Sequence, residues 1–234
     1  MNETNQGGAA FISSIGLAFV GGYADASSYL LARTFTGHLT GNCVLAAVSA
    51  ASKDLFLTLD RLLAVAVFLG GILFNLILTR FAPDRFRQFS LAITMSIEIL
   101  LFLSASLLLR PGGNQELFIV SMCLALGMQN GALNKTNGIN VHSTYMTGMV
   151  TGLTQKSFDH LFANRSSKEH SSTDAATLTL QVPASMWMSF TLGAVTGAVL
   201  VSSFHSIGLL GIILPLILLI LIEINRNWNL ARRG

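Results

Sequence analysis

Apolar residues gather into six runs of bilayer length, at 11–31, 62–79, 91–109, 117–133, 185–204 and 207–224, and the connectors between them hold most of the charge. A helix needs about 20 apolar residues to cross the hydrocarbon core. The pattern therefore predicts an all-α polytopic membrane protein with about six full transmembrane helices. Two further stretches, 39–52 and 145–162, are too short or too polar to cross, and each directly follows a break rich in Gly, Thr and Asn. The first break reads TGHLTGN over 36–42; the second reads NKTNGINVHSTYMTG over 134–148. These two stretches are expected to be short broken or re-entrant helices.

The second break can be laid on the first at a constant offset: Thr36 over Ser143, His38 over Tyr145, Leu39 over Met146, Thr40 over Thr147 and Gly41 over Gly148. Upstream, allowing two extra residues in the second loop, Gly22 to Asp25 falls on Gly127 to Asn130; downstream, Leu69-Gly70 falls on Leu192-Gly193. The chain thus divides into a polar N-terminus (1–10), two repeats (11–110 and 111–225, the second with a polar loop at 164–183) and a basic tail (226–234). Three full spans per repeat is an odd number, so the two units insert with opposite orientation. With both termini cytoplasmic, ten Lys and Arg lie inside, and only Arg33, Lys53, Arg61 and Arg110 lie outside. That excess agrees with the positive-inside rule and with an inverted repeat. If the short segments cross fully, eight spans form two parallel units instead, and the charge split narrows to nine against five.

Composition fixes the setting. Of 234 residues, 52% are hydrophobic and 11% charged, against about 25% charged in soluble domains, and the mean hydropathy is +0.62. The net charge of +3 comes from scattered connector residues rather than a basic run, which gives no reason to invoke nucleic acid. Cys43 and Cys123 both sit in apolar stretches and offer neither a disulfide framework nor a zinc site. The segment before Phe11 lacks Lys and Arg and an A-x-A-like cleavage site, so the first run is expected to remain in the mature chain.

Irregular backbone at membrane depth survives only where protein or a wet cavity surrounds it. Gly37 and Gly41 permit a bend, Thr36, Thr40 and Asn42 can cap freed amides, and a helix start left open offers donors and partial positive charge. Two such starts, entering from opposite faces, would meet near the midplane. This reading makes Asp25, Thr36, His38, Thr40, Gly41, Asn42, Asn130, Tyr145, Thr147 and Gly148 a solute-binding set. The competing reading has the same residues making tight turns at a packed interface.

Asp25 shares a helical stripe with Ser14, Ala18, Gly21 and Ser28, which lipid would not face; Cys123, Gly127, Asn130 and Asn134 form a matching stripe. A carboxylate in a span is a functional candidate by default, unless Asp25 caps a broken helix or pairs with Arg33. Glu98 is a second intramembrane carboxylate, proton-linked or hydrogen-bonded to another span, with the latter favoured. Gly70, Gly71 and Asn75, and Ser189, Gly193 and Gly197, form small faces that let helices approach closely.

The stretches GGYADASSYL, TGHLTGNCVLAA, LGMQNGALNK and STYMTGMVTGL, in that order, resemble the YoaK family of bacterial inner-membrane proteins, a domain family of unknown function. The resemblance runs from Phe11 to about Ile224. It implies a multi-pass protein of the inner (cytoplasmic) membrane and leaves the activity open. No nucleophile elbow, metal-binding helix motif, phosphate loop or cofactor fingerprint is present, so neither cofactor nor metal is expected. The sequence favours a secondary transporter or channel for a small polar or anionic solute, set in the lipid bilayer with homo-oligomeric assembly left open, over a membrane scaffold or partner subunit and over an intramembrane enzyme.

Overall fold

The computed structural model describes residues 3–109, 113–132, 135–136, 139–140, 146–162 and 173–231. Nine helices appear among them: α1 (Glu3–Ala32), α2 (Leu39–Ala51), α3 (Leu55–Phe81), α4 (Asp84–Arg87), α5 (Ser90–Leu108), α6 (Gln115–Ala132), α7 (Met146–Phe162), α8 (Thr173–Phe204) and α9 (Ile213–Ala231). A 3₁₀ stretch, His205–Ile212, joins α8 to α9, and a two-residue antiparallel pair, Lys135–Thr136 with Ile139–Asn140, follows α6. The remaining described residues form short turns and irregular connectors, of which 33–38 between α1 and α2 is the longest.

Among the described residues three helical stretches are long and apolar enough to cross a membrane: Leu55–Phe81, Ser90–Leu108 and Gln181–Trp228, the last taking in most of α8 and α9. α2 is a shorter apolar helix of 13 residues. α1 has 30 residues and α6 has 18, and both carry polar side chains that lower their hydropathy. α8 begins at Thr173, so the second half of the segment read as a polar loop at 164–183 is helix, in keeping with the helix formers Ala175, Ala176 and Leu178.

The distribution of side chains is that of a membrane protein. Phe56, Leu73, Phe74, Ile77 and Phe81 on α3, and Val195, Val199, Leu214 and Leu218 on α8 and α9, point outward. Polar groups point inward: Ser13, Ser14, Asp25, Ser28, Asn75, Thr94, Glu98 and Gln129 are all buried. Lipid is a poor solvent for such groups, so they turn toward other helices. The expected stripe of Ser14, Ala18, Gly21, Asp25 and Ser28 lies wholly inside. The core it joins is built from Leu17, Tyr23, Phe102, Phe118, Met122, Leu126, Leu209 and Leu216, where α1, α5, α6, the 3₁₀ stretch and α9 converge.

Two close helix crossings set the frame. α1 packs on α8, where a Cβ at Gly22 would strike the Phe190 carbonyl oxygen and one at Gly193 the Phe19 carbonyl oxygen. α3 packs on α6, where a Cβ at Gly127 would strike the Phe68 carbonyl oxygen and one at Gly71 the Leu124 carbonyl oxygen. Backbone meets backbone at both, which only glycine allows. Gly70, expected to share this task, has open space around it.

Candidate functional site

α1 ends at Ala32, Arg33 takes a left-handed φ of 56°, and the chain runs irregularly to His38 before α2 starts. Leaving a helix frees backbone amides, which need acceptors wherever water is excluded. Asp25, two turns back along α1 and 3% exposed, supplies them. Its Oδ1 accepts from the Thr36 amide at 2.9 Å, the Thr36 hydroxyl at 2.9 Å and the Gly37 amide at 2.6 Å. Its Oδ2 lies 2.6 Å from His38 Nδ1. A carboxylate only accepts, and it has room for several donors, which suits a turn that presents them together.

Asn42 closes the same turn from the α2 side. Its Nδ2 donates to the Phe35 carbonyl at 2.7 Å and its Oδ1 accepts from the Phe35 amide at 3.0 Å, so the side-chain amide pairs with a backbone residue as a neighbouring strand would. The Phe35 ring stacks on Tyr29 at 4.7 Å between centroids and lies 5.4 Å from the His38 ring. His38 in turn meets Phe190 of α8 edge-on at 5.9 Å. The break is therefore fastened to α1, α2 and α8 together.

His38 occupies the position just before α2, and its side chain makes no capping hydrogen bond to that helix start. By helix geometry the first-turn amides of Leu39, Thr40 and Gly41 have no intrahelical acceptor. The His38 side chain is 34% exposed. Its pKa is raised above the ordinary histidine value, chiefly by the hydrogen bond to Asp25, against the opposing effect of burial and with added Coulomb attraction from the same carboxylate. With Nδ1 held by Asp25, Nε2 is the ring nitrogen left for other contacts.

The predicted residues fall into three groups. Asp25, Thr36, His38 and Asn42 come together in one buried-to-half-buried cluster, with Thr40 exposed and Gly41 half-buried at the start of α2. Thr36 and Asn42 do not cap α2 as expected; Thr36 donates to Asp25, and Asn42 reaches back to Phe35. Asp25 pairs with His38 rather than Arg33, whose side chain is exposed. On the second repeat, Asn130 is buried on α6 and donates to its own helix at Leu126, 2.9 Å away. Thr147 and Gly148 lie in the first turn of α7, and no hydrogen bond or ring contact among the described residues joins them to the Asp25 cluster. Tyr145 lies outside the described residues.

Three participants were not singled out from the sequence. Phe35 and Phe190 are ordinary apolar residues in pattern, and only their rings' mutual placement gives them a role. Arg61, counted as an outside connector charge, lies within α3 and is 6% exposed; it donates to the Arg33 and Leu45 carbonyls and to Ser49 Oγ at 3.0 Å. It ties α3 to the end of α1 and to the C-terminal half of α2, where the helix dipole favours a cation. Glu98 departs from expectation in the other direction: it is fully buried, and neither carboxyl oxygen has a hydrogen-bond partner among the described residues.

A family model described as "Protein of unknown function (DUF1275)" matches residues 13–222. No curated protein and no solved structure matches the chain.

Proposed function

The chain belongs to the DUF1275 family, and for this member of it we propose transport of a small polar or anionic solute across the membrane, by a carrier or channel mechanism, with contact made at the start of α2. The observation that carries the reading is the complete engagement of Asp25. Both its oxygens are taken by Thr36, Gly37 and His38, so the carboxylate is not on offer to a passing cation. What the same turn leaves open is a positive-leaning surface: the uncapped first turn of α2 and the half-exposed imidazole of His38. Such a pairing suits an anion or a carbonyl-bearing solute.

The transport reading includes two inverted repeats, and the helix crossings support it. One constant offset carries Phe19 and Gly22 onto Leu124 and Gly127, and a second carries Phe68 and Gly71 onto Phe190 and Gly193. Under those offsets the α1–α8 crossing maps onto the α3–α6 crossing, contact by contact. The register places Gly71, not Gly70, over Gly193, one residue from the alignment drawn on sequence alone. Each repeat's first helix then lies against the other repeat's third helix, an arrangement in which one unit can rock on the other. In the same reading the protein sits in the bacterial inner membrane with both termini in the cytoplasm, a topology that reporter fusions at Met1 and Gly234 test directly.

Proteoliposomes test the transport reading. A ligand found by thermal shift among small organic anions and neutral polar metabolites should accumulate in vesicles holding the protein and not in empty ones, and His38→Gln should cut the flux at least tenfold with unchanged insertion. Full flux in that variant, or no flux for any ligand that raises the melting temperature, removes the assignment.

A further inference from the structure

At the α3–α5 corner the surface carries a groove of about 520 Å³, within the roughly 300–1,000 Å³ range of small-ligand sites. Its walls are Phe74, Ile77 and Phe81 from the end of α3, Phe86 from the short helix α4 and Ile93 from the start of α5. The few hydroxyls at its edge add little polarity: the Thr79 Oγ1 donates back to Asn75 and Leu76 carbonyls of its own helix. A groove with such walls takes hydrocarbon rather than a polar solute, which separates it from the Asp25 turn. It also lies at the far end of α3 from Leu55, which follows α2 in the chain.

Charge decides among hydrocarbon occupants. The connector that closes the groove, 80–87, contains three arginines and one aspartate. Arg80 is exposed in the last turn of α3, beside the wall residues Ile77 and Phe81. A helix C-terminus favours a cation, and a long arginine side chain at the end of a span reaches the headgroup level. Apolar walls below and an exposed arginine above match the two parts of an anionic phospholipid. We propose that this groove binds one acyl chain of an anionic phospholipid from the surrounding bilayer, with the lipid phosphate held at Arg80. The site is independent of the solute-transport assignment.

Native mass spectrometry of the detergent-purified full chain, titrated with phosphatidylglycerol or phosphatidylcholine of identical acyl chains, tests this. One basic contact near a lipid headgroup predicts a preference of about fivefold for phosphatidylglycerol. Arg80→Gln should bring the two lipids to equal affinity. Ile77→Trp, which fills the groove from a residue 57% exposed and so leaves the core untouched, should weaken both. Equal binding of the two lipids by the unaltered protein overturns the proposal, as does a preference that persists in Arg80→Gln. A dimer that Ile77→Trp disrupts while leaving lipid binding intact assigns the groove to a second copy and likewise overturns it.

Discussion

Asp25 Oδ2 and His38 Nδ1 stand 2.6 Å apart across the break between α1 and α2, one residue in the last turns of a helix and the other at the threshold of the next. Their pairing links the protonation of an imidazole to the geometry of the turn between the two helices. The His38 pKa is raised in the folded state, with the hydrogen bond to Asp25 as the largest cause. A group of this kind contributes stability that is complete below its unfolded pKa, about 6.5 for histidine, and that is lost as pH climbs through the higher folded value. The melting temperature in detergent should fall as pH rises from about 6.5, and His38→Gln should flatten that slope. A slope that is unchanged in the variant assigns the pH response elsewhere.

Removing the acceptor should be worse than removing the imidazole. Asp25→Ala strands the Thr36 amide, the Thr36 hydroxyl and the Gly37 amide in a buried site, at about 1–3 kcal/mol for each donor left unpaired. Asp25→Asn keeps one oxygen for those donors and should retain most of the fold. Thermal denaturation is therefore expected to order the three proteins as wild type, Asn, then Ala, and an Ala variant as stable as Asn would show that the turn does not depend on Asp25.

Glycine substitutions separate the close crossings from open positions. Gly22→Ala and Gly127→Ala each drive a methyl into a backbone carbonyl of the facing helix, and overpacking of this sort costs about 1–3 kcal/mol or more. Gly70→Ala meets nothing within 4 Å and should be neutral or stabilising by up to about 1 kcal/mol, the helix-propensity gain. Size-exclusion profiles after heating rank them. Equal losses at Gly22 and Gly70 would sink the account of the α1–α8 contact.

Glu98 should be a site where stability rises on substitution. A buried polar group without a partner costs about 1–3 kcal/mol, and both Glu98 oxygens are in that condition among the described residues. Glu98→Met, of similar length and without the carboxyl, is expected to raise the melting temperature. A lower one would mean that the carboxyl is paired in the folded protein.

Much of the architecture was legible because its causes are local. The apolar runs announced the long helices, and the three-and-four spacing of Ser14, Ala18, Asp25 and Ser28 identified the buried face of α1 before any partner was known. TGHLTGN signalled a break, since Gly, Thr and Asn serve backbone that has left a helix. What the motif does was not legible: Asn42 was expected to cap α2 and instead embraces Phe35, and Thr36 serves Asp25. Arg61 read as a connector charge because two of its three acceptors, the Arg33 and Leu45 carbonyls, are backbone atoms that carry no residue-type signal, and the third, Ser49 Oγ, lies twelve residues away on another helix.

The sequence by itself determined that this is an α-helical membrane protein and which face of α1 turns inward, because solvent preference and helical period are properties of neighbouring residues; the helix bounds, such as the start of α8 at Thr173, came from the structure. The tertiary structure alone decided that both Asp25 oxygens are engaged, that Gly71 rather than Gly70 meets α6, and that Glu98 stands without a hydrogen-bond partner among the described residues. Those outcomes depend on which atoms from distant parts of the chain arrive within about 3 Å of one another, and helix packing fixes that distance only when the whole bundle closes.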